Sequence, residues 1–181
     1  MNRSRSLLPT FGVLILVLGA IQLVPYGRHH TNPPDGTQAA FDSPQTRALA
    51  ERACYDCHSN HTQWPWYASL APISWRIQRH VDEGRDKLNF TAFDAGNEKM
   101  ADAAGEASES ITKGDMPPAD YLLLHPEARL SASEKAALAK GLDVTFAAFA
   151  EKDEDGGKGE AGEKGEKAEA GETGEKGADR D

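Results

Sequence analysis

Apolar residues in this chain recur at helical spacing, and the longest apolar run comes first. No charged residue lies between Arg5 and Arg28, and Phe11–Ile21 (FGVLILVLGAI) is nearly all apolar. As one helix, the 22 uncharged residues 6–27 would measure roughly 33 Å, enough to cross a bilayer core. His29–Ala40 (HHTNPPDGTQAA) is polar and rich in Pro and Gly, the composition of a linker. Ser43 then offers an N-cap with Pro44 at the first helical position, which predicts a helix running through Leu49 and Ala53 toward two cysteines. Pro72 opens a second pattern with Ile73, Ile77 and Val81 on one face, and Gly84 reads as its stop. Met100, Ala104, Ala107 and Ile111 mark a weaker third helix that ends at Gly114. Ser131-Ala-Ser-Glu134 is a capping box opening a fourth, which aligns Leu138, Leu142, Phe146 and Phe149. No stretch alternates as a strand does. The fold class expected is all-α.

These patterns divide the chain into a membrane anchor or signal segment (1–27), a linker (28–40), a domain (41–150) and a tail (151–181). Arg3 and Arg5 precede the apolar run, so the positive-inside bias leaves the N-terminus in the cytoplasm and exports the domain to the periplasmic side of the inner membrane; Arg28 opposes this weakly. A cleaved signal ending at Leu18-Gly19-Ala20 is the alternative. Because Ile21, Leu23 and Val24 stay apolar, a retained single-pass anchor is favoured. No cysteine lies near the segment to support lipoprotein processing.

Charge sharpens the division. The net charge is −9, and the tail, with 12 acidic and 6 basic residues, carries −6 of it, leaving −3 for the other 150 residues. That balance excludes a basic nucleic-acid-binding surface. Glycine recurs every third residue at 156, 159, 162, 165, 171, 174 and 177, with Ala168 breaking the register. Without proline, such a short run favours a disordered solvated tail over a collagen-like triple helix. The domain itself has 27 large apolar residues among 110, a thin core that a bound apolar cofactor would help to fill.

Cys54-Tyr-Asp-Cys57-His58 is C-x-x-C-H, the attachment signature of c-type haem. Two thiols about one helical turn apart can reach the two vinyl groups on one porphyrin edge, and the adjacent imidazole then meets the iron. A thioredoxin-like C-x-x-C calls for a βαβ context, and a zinc site calls for a second ligand pair that no further cysteine supplies. A Cys54–Cys57 disulfide clip would leave His58 unexplained. Six-coordinate iron takes a second axial ligand, commonly Met or His. Met116 sits in Gly114-Asp-Met-Pro-Pro118, where Pro117 keeps it out of helical geometry and both prolines stiffen the loop. Met100 reads as a core residue of its helix. Of the rival histidines, His61 is too close to His58 to reach across the ring, His80 could line the pocket, and His125 could cap a turn before Pro126. Trp64, Trp66, Tyr67 and Trp75 read as pocket wall and core, and Arg76 and Arg79 as a solvated helix face with a haem propionate as the alternative partner.

ACYDCHSN (53–60), WPWYASLAPISW (64–75), EGRDKLNF (83–90), GDMPPADYLLLHPEARLS (114–131) and the following Glu134-Lys135 helix together resemble the bacterial haem-binding domain family. The resemblance extends over about residues 10–150, including VPYGRHHTNPP (24–34), and leaves out the tail. It implies a small exported cytochrome c-like domain behind an N-terminal membrane segment. It also implies one haem c attached through Cys54 and Cys57, with His58 as proximal and Met116 as distal ligand. The Ala- and Gly-rich stretch 94–110 is poorer than a good family helix. The function expected is single-electron transfer to or from a redox partner protein that the sequence leaves unspecified, with no catalysed bond chemistry. A haem-based sensor working by ligand exchange at Met116 is the main rival; a peroxidase-type enzyme and a non-haem thiol-redox protein stand behind it.

Overall fold

The computed structural model describes residues 7–156, and these fold into helices joined by extended segments, with no strand among them. In chain order the helices are α1 (Leu7–Ile21), α2 (Pro44–Ala53), α3 (Tyr55–His58), α4 (Ile73–Lys87), α5 (Glu98–Lys113), α6 (Ala119–Leu124) and α7 (Ala132–Gly156). Short 3-10 turns occupy Trp66–Ser69 and Pro126–Ala128.

Each helix end has a local cause. The Ser43 hydroxyl accepts from the Thr46 N–H, with Pro44 in the first helical position of α2. Asn97 caps α5 through the Met100 N–H. At its far end Gly114 takes a left-handed conformation (φ 85°), which a side chain would resist. Ser131 and Glu134 exchange backbone bonds at the start of α7, forming the capping box that the sequence predicts.

The core lies between α2, α5 and α7. Leu138, Leu142 and Phe146 of α7 meet Met100, Ala104 and Ile111 of α5, while Leu49 and Ala50 pack from α2. Phe90 sits at the centre, stacked on Tyr55 at 5.7 Å and on Phe146 at 6.3 Å. Burying side chains of this size contributes about 1.5–3 kcal/mol each, so this aromatic column is a main support of the fold. The Phe149 side chain and the glycine-rich tail beyond Gly156 lie outside the described residues.

Four sequence expectations change. First, the uncharged span 6–27 does not form one helix: α1 has 15 residues, ending where Gln22 turns to bond Ala71. Among the described residues no helix is long and apolar enough to cross a membrane. Second, residues 28–40 lie along the domain instead of hanging between two bodies. Gly36 and Ala39 donate to the Thr91 and Phe90 carbonyls, Phe93 donates back to Thr37, and Arg85 reaches Thr31 and Asn32. Backbone donors and side-chain amides, which composition counts only as polar, make that strap. Third, α7 continues past residue 150 to Gly156.

Gly84 is the most telling difference. It does not stop α4, which runs on to Lys87. A Cβ at this position would lie 2.5 Å from the Cys57 carbonyl oxygen. Glycine is present because α4 crosses the C-x-x-C-H segment at backbone distance.

Candidate functional site

Helix α2 ends at Cys54, whose non-helical backbone (φ −122°) turns the chain before the single turn of α3 carries Asp56, Cys57 and His58. His58 is held at both ends of its residue. Its carbonyl accepts from Phe90 N–H at 2.8 Å, and its Nδ1 meets the Leu88 carbonyl at 3.0 Å. A carbonyl only accepts, so Nδ1 carries the proton and Nε2 keeps its lone pair. Burial lowers the pKa of His58, against the raising effect of its backbone bonds. This is the tautomer a metal-ligating histidine needs, fixed by a second bond on the far nitrogen.

The segment after His58 is tied down as firmly. Asn60 N–H donates to Thr91 Oγ1 at 2.8 Å, and the Asn60 amide donates to the Pro34 carbonyl while accepting from Asn89. Arg85 adds bonds to the Ser59 carbonyl and Thr62 Oγ1. Three separated stretches (31–36, 58–62 and 88–91) are thereby locked around the motif.

Cys54 and Cys57 are free thiols. Burial pushes each up to about 12, with Cys57 adding to the effect at Cys54 and Asp56 at Cys57. Both are neutral thiols at neutral pH, the opposite of the activated thiolate of a redox C-x-x-C.

Both cysteines, His58 and Met116 line one cavity of about 310 Å³, inside the usual range for a small-molecule site. Leu88, Phe90, Ile111, Leu138 and Leu142 supply much of its apolar wall. Met116 reaches it from the loop between α5 and α6, where Asp115 and Met116 N–H groups both bond the Ser110 carbonyl. The Met116–Pro117 peptide is cis, and Met116 is 39% exposed. Sequence reasoning missed what secures this loop. The Tyr121 hydroxyl donates to Asp56 Oδ2 at 2.8 Å, and Arg76 bonds Asp120 at 2.7 Å, so α6 is tied both to the C-x-x-C-H turn and to α4. An acid inside the motif and a tyrosine just beyond the Met-Pro-Pro loop were the available signal.

The other expected residues divide clearly. His80 lines the cavity, as its place on α4 suggested. Met100 is a core residue, 7% exposed. His61 pairs with Asp35, and His125 ends α6 while stacking on Tyr121 at 4.0 Å. Trp64, Trp66, Tyr67 and Trp75 are not pocket wall: Trp64 stacks on His30, and Trp66 is 80% exposed. Within this run Trp64 also donates to Asn32 of the strap, and Ala71 bonds Gln22 just beyond α1. Arg76 and Arg79 are engaged with Asp120 and Glu83.

This donor set fits the haem expected from the sequence: two thiols one turn apart, an imidazole with a free Nε2, a thioether and an apolar wall. A family model described as a haem-binding domain matches residues 16–143. No curated protein and no solved structure matches the chain.

Proposed function

The chain belongs to the haem-binding domain family, and from that premise we propose that it is a cytochrome c-like carrier of single electrons. One haem would be held through Cys54 and Cys57, with His58 and Met116 as the side chains that would bind its iron. Haem supplies the one-electron iron couple. The chain supplies the rest: Leu88 fixes the His58 tautomer, the apolar wall limits water, and the proline-stiffened loop presents a thioether. A soft thioether raises the potential, and a ligand that keeps its place in both oxidation states keeps reorganisation small. Were Met116 to bind the iron opposite His58, it would occupy the position a substrate would need, which favours a carrier over an enzyme. The supporting observation is that free thiols, an Nε2 lone pair and a thioether line one cavity.

The proposal includes the location. The N-terminal segment, with α1 as its helix, tethers the domain to the inner membrane. Arg3 and Arg5 stay in the cytoplasm, so the domain lies on the periplasmic side, where c-type haem is attached. Sensing by ligand exchange is the second reading, favoured by the 39% exposure of Met116.

Chain matured with haem-attachment machinery should keep its haem through a denaturing gel, and Cys54→Ala with Cys57→Ala should lose it. The ferrous protein should bind carbon monoxide poorly, and Met116→Ala should bind it readily with a lower midpoint potential. Haem lost from the unmodified chain on the gel would refute covalent attachment. Ready carbon monoxide binding without mutation would favour the sensor.

A further inference from the structure

Helix α1 exposes apolar side chains all round: Phe11, Val13, Leu14, Ile15, Leu16, Val17 and Leu18 are all 44–73% exposed. Its 15 described residues, Leu7–Ile21, measure about 22 Å. The chain beyond α1 is not a free tether. The Gln22 amide donates to the Ala71 carbonyl at 2.8 Å, and its oxygen accepts from Ala71 N–H at 3.0 Å. A few residues on, Gly27 packs so tightly on Ser74 that a Cβ would come 2.5 Å from the Ser74 carbonyl oxygen. The end of α1 is therefore fastened to the turn that leads into α4.

That fastening gathers apolar side chains at one place. Leu23 (83% exposed) and Val24 (42%) flank Gln22 on one side, and Leu70 (46%) and Ile73 (48%) flank Ala71 on the other. Trp66, 80% exposed, stands on the adjoining 3-10 turn, and Tyr26 (46%) follows Val24. Segments 20–27 and 64–75 contain no charged residue.

We propose that this face of the domain, around Leu70 and Ile73, rests in the surface of the same lipid bilayer that receives α1, with Trp66 and Tyr26 at headgroup level. The inference deepens the membrane attachment proposed above and rests on it. A bilayer is the occupant because α1 exposes apolar side chains in all directions, whereas a protein partner would cover one face. The clamp at Gln22 then sets the patch in the same medium. Tryptophan and tyrosine favour the interfacial depth of a bilayer, where an amphipathic ring meets both headgroups and acyl chains.

The test uses full-length holoprotein in phosphatidylcholine vesicles, with and without acyl-chain bromination. The chain has three tryptophans, and brominated lipid should quench their emission. Trp66→Phe should remove more than half of that quenching while leaving vesicle flotation and haem content unchanged. Flotation with quenching that Trp66→Phe does not alter would overturn the docked face and leave the attachment standing. Absent quenching, with emission that varies with the protein-to-lipid ratio, would assign the face to a second copy of the chain. Failure to float would remove the attachment itself, and this inference with it.

Discussion

Replacing Gly84 by alanine tests whether α4 and the C-x-x-C-H segment share one contact. In an open helix the change is favourable, because glycine is about 0.8–1 kcal/mol worse than alanine there. At position 84 the new methyl meets the Cys57 carbonyl oxygen at 2.5 Å and the Cys57 carbonyl carbon and Cβ at 3.0 Å. Those contacts are mostly backbone, so α4 or the Cys57–His58 turn must shift. Overpacking of this kind costs about 1–3 kcal/mol, and backbone neighbours place it in the upper half of that range. The net expectation is a loss of about 1–2 kcal/mol, or a melting point lower by about 2–8 °C. Gly105→Ala is the control. Gly105 lies within α5 with nothing inside 4 Å of its added Cβ, so it should gain about 0.5–1 kcal/mol. Thermal melts of the two holoproteins, followed by circular dichroism, should move in opposite directions. The Gly84 variant should also shift the haem absorption bands, since Cys57 and His58 move with the turn. If both variants stabilise equally, α4 does not cross the C-x-x-C-H segment at backbone distance, and this account of the contact fails.

Tyr121→Phe deletes the bond to Asp56; it should cost about 1.5–3 kcal/mol at most and, on the proposed ligation, let carbon monoxide in faster, and an unchanged melt and unchanged gas binding would remove this bond from the support of the Met116 loop. Glu134 has its pKa lowered from 4.5 to about 2, first by the Arg52 bond and then by Ser131. A depressed carboxylate contributes stability that is present above its unfolded pKa and lost as pH falls through the folded one. Glu134→Gln should therefore melt below the unmodified chain at pH 7, with the gap closing between about 4.5 and about 2; a gap that persists at the acid end would contradict the assignment. Truncation after Gly156 removes no apolar residue larger than alanine, so haem content and melting point should stay as they are, and a fall of many degrees would show that the tail packs on the domain.

Much of the candidate haem site is local chemistry, and local chemistry is legible in a sequence. The spacing of Cys54, Cys57 and His58 depends only on one helical turn, and the Gly114–Pro118 loop declares its stiffness through its own residues. Caps at Ser43 and Ser131 and the stop at Gly114 likewise depend on atoms a few residues apart, which is why the all-α class and several helix ends are readable from pattern alone. What tertiary structure decided depends on atoms far apart in the chain. Gly84 reads as a helix stop because its sequence does not contain the Cys57 carbonyl that forbids a side chain there. Residues 28–40 read as a linker because backbone N–H groups, identical in every residue but proline, make the bonds to 90–93. The tryptophans read as pocket wall because burial was inferred from residue type, whereas Gln22 and Ala71, 49 residues apart, turn that run toward α1. Asp56 and Tyr121 are 65 residues apart and became partners only when α3 and α6 met. Periodicity determines which face of a helix is apolar; only the packed chain determines what that face meets.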